Sequence, residues 1–471
     1  MTDIDVFNPF DQSLLKSIPQ SSDREVTVAM DKACDLFNDR RRWLPAYERI
    51  EILERVVTIM SSQIEELTAL AASEGGKPYI DSKVEILRAI NGVKLAIEHI
   101  PAIKGEEIPM GHTASSANRI AFTRREPIGP VVSVSAFNHP LNLIVHQTIP
   151  ALAVGCPVVI KPAALTPLSC FRLIEILHEA GLPDGWCTAV LPSRQVAEQL
   201  VCDSRTNFFS FIGSAKVGWM LQSKLSPGTR SALEHGGAAP VIVDASMFEE
   251  SASSKLDDMI ASLCKGGFYH AGQVCVSVQR VYAPAENCEL LAERIAQAAN
   301  ALVVGDQLKH DTEVGPLITP KEVNRVADWV DSARASGAKV VSGGEKISDT
   351  CYTPTVLLNP AEESEVSQLE IFGPVVCVYG YSNKEDALSR ANGLPFAFQA
   401  SIFTQRLDDA LDTSQKLNAT AVMVNDHTAF RVDWMPFGGR DASGIGMGGI
   451  PYSMHEMTRD KMTVIKSDVL L

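Results

Sequence analysis

Charge disappears from the chain between Pro127 and Ile160, a stretch with no Asp, Glu, Lys or Arg. Its length alone would permit a membrane span. Pro130, Pro140, Pro150 and Pro157, together with Gly155, Asn138, His139, Asn142 and His146, instead divide it into three pieces. VVSVSAF (131–137) and PVVI (157–160) read as strands, and LNLIVHQTIPALAVG between them reads as a helix. Uncharged strands of this kind are what a parallel sheet covered on both faces requires. The expectation is a buried βαβ unit and no transmembrane helix.

The same alternation continues elsewhere. Ile50, Leu53, Val57, Met60, Ile64 and Leu67 recur three and four apart, so residues 45–73 predict one amphipathic helix ended by Gly75, Gly76 and Pro78. Further along, PVIVDA (240–245), KVVSGG (339–344), PVVCVYGY (374–381) and AVMVND (421–426) predict apolar strands, each followed by a helical stretch. The class is α/β throughout. No repeat and no low-complexity linker marks a domain border.

Composition narrows the function. The 471 residues are 45% hydrophobic and 21% charged, enough for two or three domains. With 57 acidic and 42 basic side chains the net charge is −15, a field that repels nucleic acid and anionic membrane surfaces. The ten cysteines include no Cys-x-x-Cys pair and suggest neither a disulfide framework nor a metal site. A reducing, cytoplasmic setting is expected, and MTDIDVFNPFDQ resembles no signal or transit peptide.

One cysteine stands apart. Cys275 lies in GGFYHAGQVCVS, where three glycines permit tight backbone around it. In isolation a cysteine reads as a small buried hydrophobe, whereas a nucleophilic thiolate needs a group that polarises its target and another that activates water. Asn138 in SAFNHP is placed at a strand end, where its amide would serve as an oxyanion donor or cap the following helix. Glu234 in SALEHGGAAPVIV is a candidate base or a surface charge. The GxGxxG run at Gly444, Gly446 and Gly449 follows no clear strand, and too little chain remains beyond it for a nucleotide-binding half.

Taken together, AFNHPLNL, VVIKPA, FIGSAKVG, LEHGGAAPVIV, GQVCVS, EIFGPVV, VMVN and MPFGGRDASGIG resemble, in order and spacing, the aldehyde dehydrogenase superfamily from about residue 5 to 467. The resemblance implies Cys275 as nucleophile, Glu234 as general base, and Asn138 with the Cys275 backbone N–H as oxyanion donors. It implies Lys161 on the adenosine ribose, Gly213 and Ser214 at the pyrophosphate, Glu370 on the nicotinamide ribose and Phe372 flanking the nicotinamide. It also makes the PFGG…SGIG segment a glycine-rich turn near the substrate entrance. A non-catalytic structural descendant has no need of Cys275, Asn138 and Glu234 together.

The implied architecture is a Rossmann-type cofactor domain (1–107 and 128–234), an α/β catalytic domain (235–453) and a small β bridging element for oligomerisation (108–127 and 454–471), giving a homodimer or homotetramer. NAD-preferring relatives commonly carry an acid three residues after the lysine; here that position is Ala164, so the cofactor is NAD or NADP, with NADP at least tolerated. FRVDWMPFGG and AFNHPLNLIVHQ look most like the lactaldehyde, phosphonoacetaldehyde and non-phosphorylating glyceraldehyde-3-phosphate dehydrogenase branch. Arg431, His146 and His139 would then meet an anionic or hydroxylated small aldehyde, unless Arg431 simply pairs with Asp433. The stretch before Cys275 is longer than the family's usual, which suggests an insertion around 247–258. A CoA-acylating enzyme is the rival reading, and Glu234 argues for water.

Overall fold

The uncharged run folds as its punctuation predicts in a computed structural model that describes residues 3–470. Strand Val131–Val134, helix Asn142–Val154 and strand Val158–Lys161 form a βαβ unit with Val131 opposite Val158. Every side chain of that helix is buried, so it can be apolar on all sides. The first strand stops short of its expected end, and the chain turns through Phe137 and Asn138 before the helix begins.

These strands lie in a six-stranded sheet ordered Gly444–Ile445, Arg230–Glu234, Phe208–Ile212, Val131–Val134, Val158–Lys161, Cys187–Ala189, parallel except for the first. Adjacent residues feed opposite cores: Val131, Val158 and Phe208 join one, and Val132, Val159 and Phe209 the other. The chain winds outward from Val131–Val134 to Cys187–Ala189, then crosses back to Phe208–Ile212 on the other side. Such a reversal opens a crevice at the carboxyl ends of the strands. Asn138, Lys161, Gly213 and Glu234 all sit at those ends.

A seven-stranded sheet runs Lys339–Ser342, Thr355–Leu358, Val375–Tyr381, Val278–Pro284, Ala239–Val243, Gln399–Phe403, Ala421–Val424, again parallel except at the first strand. Two helices expected here do not form. After Lys339–Ser342 the pair Gly343 and Gly344, at φ of 70° and 80°, turns the chain, and a Cβ on Gly343 would lie 2.3 Å from the Pro354 carbonyl oxygen. That strand is an antiparallel edge. After Ala421–Val424 the chain enters a long irregular loop carrying Arg431 and Asp433.

The expected helix over 45–73 is two helices, Ala46–Ser62 and Ile64–Gly75, broken at Gln63 with φ −118° and ψ 22°. No glycine or proline marks the break. Gln63 there accepts a hydrogen bond from Arg172 at 2.8 Å, so a distant side chain helps fix it. Ile52 and Val56 are buried in the core, while Ile50 and Val57 are only partly covered. Residues 247–258 form short 3-10 turns leading into helix Ser253–Phe268.

Strands Arg119–Pro127 and Thr458–Lys466 pair antiparallel along their whole length, with the short Glu107–Ile108 on the other side of Arg119–Pro127. Thr458–Lys466 is left as an outer edge whose Met462, Val464 and Ile465 are exposed. Met1, Thr2 and Leu471, at the ends of the expected cofactor and bridging segments, lie outside the described residues. The glycine-rich turn lends Gly444–Ile445 to the sheet beside Leu233–Glu234. Helix Ile450–Glu456 contributes Ile450 and Met454 to the core of that sheet.

Gly444 adopts φ +143°, and a Cβ there would lie 2.0 Å from the Leu233 carbonyl oxygen. Gly444→Ala should therefore lower the unfolding free energy by about 2 kcal/mol, read as a reduced urea midpoint at unchanged slope. A midpoint equal to the parent's contradicts this placement.

Candidate active site

Cys275 is delivered by a turn that most residues avoid. His270, Ala271 and Gly272 follow one another at φ of 53°, 52° and 70°, and a Cβ on Gly272 would meet the Gly373 carbonyl oxygen at 2.1 Å. Gln273 fixes this loop: its amide donates to the Pro316 and His270 carbonyls, each at 3.2 Å, and accepts from the Ile318 N–H at 3.0 Å. Cys275 is half-buried and packs against Val274, Val276, Phe398 and Phe437, a cluster that Tyr269 and Ala429 also cover.

Burial pushes the Cys275 thiol up to about 12, Arg431 opposes the rise, and Glu370 and Glu234 add to it. The sulfur thus faces one cation and two acids. All ten cysteines are free, and at Cys275 the cation Arg431 and the carboxylates Glu234 and Glu370 act on the thiol together.

Asn138, 5% exposed, donates from Nδ2 to the Gln273 carbonyl at 2.9 Å, which ties the end of one strand to the cysteine loop. An amide nitrogen carries two hydrogens, so one remains to donate. Glu234 ends its strand, and a Cβ on Gly448 would lie 2.2 Å from its Oε1, so the glycine makes room for the carboxyl group. Burial raises the Glu234 pKa against the pull of Arg431, the direction that suits a general base.

Around the sheet's carboxyl edge lie groups fit for a dinucleotide. Lys161 ends its strand, and burial, with Arg194 adding to it, depresses its pKa. Gly213 and Ser214 precede helix Ala215–Gln222, and the Ser214 side chain makes no capping bond. Glu370 lies over Gly236, where a Cβ would be 1.6 Å from its Oε1, and that oxygen is buried without a hydrogen-bond partner. Burial pushes its carboxyl up to about 8. Phe372, at φ 47°, presents its ring edge-on to Phe137 at 5.8 Å. A cation, an open helix start and a carboxyl with one unpartnered oxygen suit an adenosine ribose or its phosphate, a pyrophosphate and a second ribose in turn.

Residues 1–463 match the family model for the aldehyde dehydrogenase family. The chain belongs to that family. The 3-sulfolactaldehyde dehydrogenase of Priestia megaterium is 34% identical over 98% of this chain and 94% of its own length. Among solved structures, aldehyde dehydrogenase 21 from Physcomitrella patens, in complex with the reaction product succinate, has a TM-score of 0.94 at 34% identity, covering 100% of this chain and 96% of that one. The glyceraldehyde-3-phosphate dehydrogenase of Methanocaldococcus jannaschii, complexed with NADP, gives 0.92 at 32% identity, covering 99% and 100%.

In this aldehyde dehydrogenase the candidate substrate residues form an ordered charge cluster. Asp433 does not pair with Arg431: it accepts from Arg88 Nη2 at 2.7 Å and Nε at 3.1 Å, and from His146 Nε2 at 2.8 Å. Although burial opposes it, these donors hold Asp433 well below the usual carboxylate range. Burial and Arg431 push His146 down to about 4, so its ring is neutral. With its proton on Nε2 toward Asp433, Nδ1 is free to accept from Arg431 Nη2 at 3.3 Å. The Arg431 guanidinium lies 3.6 Å over the Phe437 ring, and its buried Nε has no partner.

His139 lies one step from Asn138 and is hydrogen-bonded to Lys77 and Tyr269. Sequence reading passed over Arg88, Lys77 and Tyr269. Arg88 meets Asp433 from a helix far away in the chain, which leaves no local signal, whereas Tyr269 sits inside the quoted GGFYHAGQVCVS segment.

Because Arg431 stabilises the thiolate, Arg431→Met should slow alkylation of Cys275 by neutral iodoacetamide about tenfold at pH 8, the change expected for one pK unit. The cofactor-free protein serves for this test. Equal rates in parent and variant contradict the pairing.

Proposed function

We propose that this aldehyde dehydrogenase oxidises a small anionic or hydroxylated aldehyde to its carboxylic acid with NAD or NADP. The observation that carries this reading is Arg431, a half-buried arginine whose Nε is buried and unpartnered, set against the cluster that holds Cys275. A carboxylate, sulfonate or phosphate on the substrate supplies the missing acceptor. The relatives' names and contents agree, with a sulfonated aldehyde, a phosphorylated aldehyde and a dicarboxylate product among them.

The Cys275 thiolate forms a C–S bond to the carbonyl carbon, and the oxygen becomes an anion held by Asn138 Nδ2 and the Cys275 backbone N–H. Lys161, Gly213, Ser214, Glu370 and Phe372 would hold a nicotinamide dinucleotide, which would supply the hydride acceptor; loss of hydride from the carbon bonded to Cys275 leaves a thioester on that residue. Glu234 then takes a proton from water as that water adds to the thioester carbonyl; the C–S bond breaks, and the thiolate and the acid result. Retention of Glu234 favours water over CoA. Product analysis with and without CoA separates the two.

Ala164 offers no carboxylate to repel a 2′-phosphate, and Lys161 with Arg194 offers positive charge. NADP is therefore at least tolerated. We assign cofactor binding to 1–107 with 128–234, the chemistry to 235–453, and oligomerisation to 108–127 with 454–471. The exposed apolar edge of Thr458–Lys466 supports a homodimer or homotetramer. The free cysteines suit a reducing compartment such as the cytoplasm. No helix among the described residues is long and apolar enough to cross a membrane; neither a membrane nor nucleic acid is a proposed partner.

An aldehyde panel followed at the reduced-nicotinamide band should give highest kcat/KM for small hydroxylated or acidic aldehydes, with NADP supporting turnover. Cys275→Ala should bind the dinucleotide and form none of its reduced form. Turnover by Cys275→Ala ends the assignment, and a specificity constant for NAD a thousandfold above that for NADP ends the cofactor reading. Sedimentation should give a dimer or tetramer mass; a monomer contradicts the bridging role.

A further inference from the structure

The oxyanion asparagine is followed by a histidine that closes a buried chain of hydrogen bonds. Lys77, 1% exposed, has its Nζ 2.5 Å from both Glu85 Oε2 and His139 Nδ1. The other oxygen of Glu85 accepts the backbone N–H groups of Leu141 and Asn142 at 2.9 and 3.0 Å, which fixes the carboxylate at the start of helix Asn142–Val154. On the far side of the ring, His139 Nε2 lies 3.3 Å from Tyr269 Oη.

The protons along this chain have one direction. Burial lowers the Lys77 pKa, and the ion pair with Glu85 opposes this and favours the ammonium; an ammonium has no lone pair, so Lys77 donates to His139 Nδ1. Burial and the Lys77 charge hold the His139 pKa well below its ordinary value, and the ring is neutral. A neutral imidazole accepting at Nδ1 carries its hydrogen on Nε2 and donates it to Tyr269 Oη. Burial keeps the phenol protonated, so its own O–H is left to donate elsewhere.

No other hydrogen bond engages that hydroxyl among the described residues: nearby Asp81 pairs with Lys265 through Oδ1 at 2.7 Å, and its buried Oδ2 makes no hydrogen bond to the phenol or to any other group. The Tyr269 ring packs in the cluster that includes Cys275, Phe398 and Phe437. That packing sets the half-buried phenol ring at the wall of the cysteine pocket. Arg431 provides for an anion; a neutral phenol suits a neutral acceptor.

We propose that Tyr269 is a substrate-contacting specificity residue whose O–H, aimed by Lys77 and His139, donates to a hydroxyl on the carbon next to the aldehyde. This rests on the reading of the enzyme as an oxidiser of small hydroxylated aldehydes and names the contact that selects them. Lys77 and His139 are positioning residues that act through the phenol.

The test compares Tyr269→Phe with the parent on 2-hydroxypropanal and propanal, which differ by that one hydroxyl. The kcat/KM for 2-hydroxypropanal should fall about tenfold, the scale of one lost hydrogen bond, with propanal changed less than twofold. His139→Phe should lower it likewise, and His139→Gln, which keeps an acceptor and a donor, should restore most of it. Equal losses on both aldehydes, or no loss on either, overturn the proposal.

Calorimetric titration of the parent with 2-hydroxypropanoate and propanoate reads the same contact without turnover. The hydroxy acid should bind about tenfold tighter in the parent and lose that advantage in Tyr269→Phe; no preference in the parent overturns the contact. A parent that shows the preference yet oxidises neither aldehyde keeps the contact and overturns the functional reading instead.

Discussion

A sulfur is ionised away from water more readily where positive charge faces it, and in this protein that charge is Arg431. Burial and two acids push the Cys275 thiol up, and among its neighbours the guanidinium pulls the other way. The guanidinium depends in turn on a neutral His146, a low-pKa Asp433 and the bidentate Arg88 behind it. The resulting pocket has a cation whose attraction Cys275, Glu234 and an incoming anion share. On the proposed mechanism, the same arrangement activates the nucleophile and selects the substrate.

The fold brings these groups together by two independent routes. Reversal of strand order in the six-stranded sheet opens the crevice that holds Asn138 and Glu234. The left-handed run before Cys275 and the irregular loop after Ala421–Val424 bring the thiol and Arg431 to it from the seven-stranded sheet. Gly444 and Gly448 join the two by backbone alone, the first pairing with Glu234 and the second leaving space for its carboxyl group. Each glycine sits where a side chain would collide.

The βαβ unit was legible because loss of charge and regular proline punctuation act locally. Cys275, Asn138 and Glu234 stood out because several segments coincide, and no single segment was sufficient. The break at Gln63 was hidden, since Arg172 reaches it from another helix. So was the chain from Lys77 to Tyr269: the lysine and histidine are 62 positions apart, and only folding makes them neighbours. The expected helix after Lys339–Ser342 failed for a local reason, as Gly343 and Gly344 turn the chain directly.

The central claim is that substrate carbon becomes bonded to Cys275 and is released by water activated at Glu234. Glu234→Gln mixed with NADP and 2-hydroxypropanal, acid-quenched and digested, tests it by mass spectrometry. The account predicts a burst of about one reduced dinucleotide per chain, with the acyl mass on the peptide that contains Cys275. A burst with that peptide unmodified, or acylation at another residue, would contradict it.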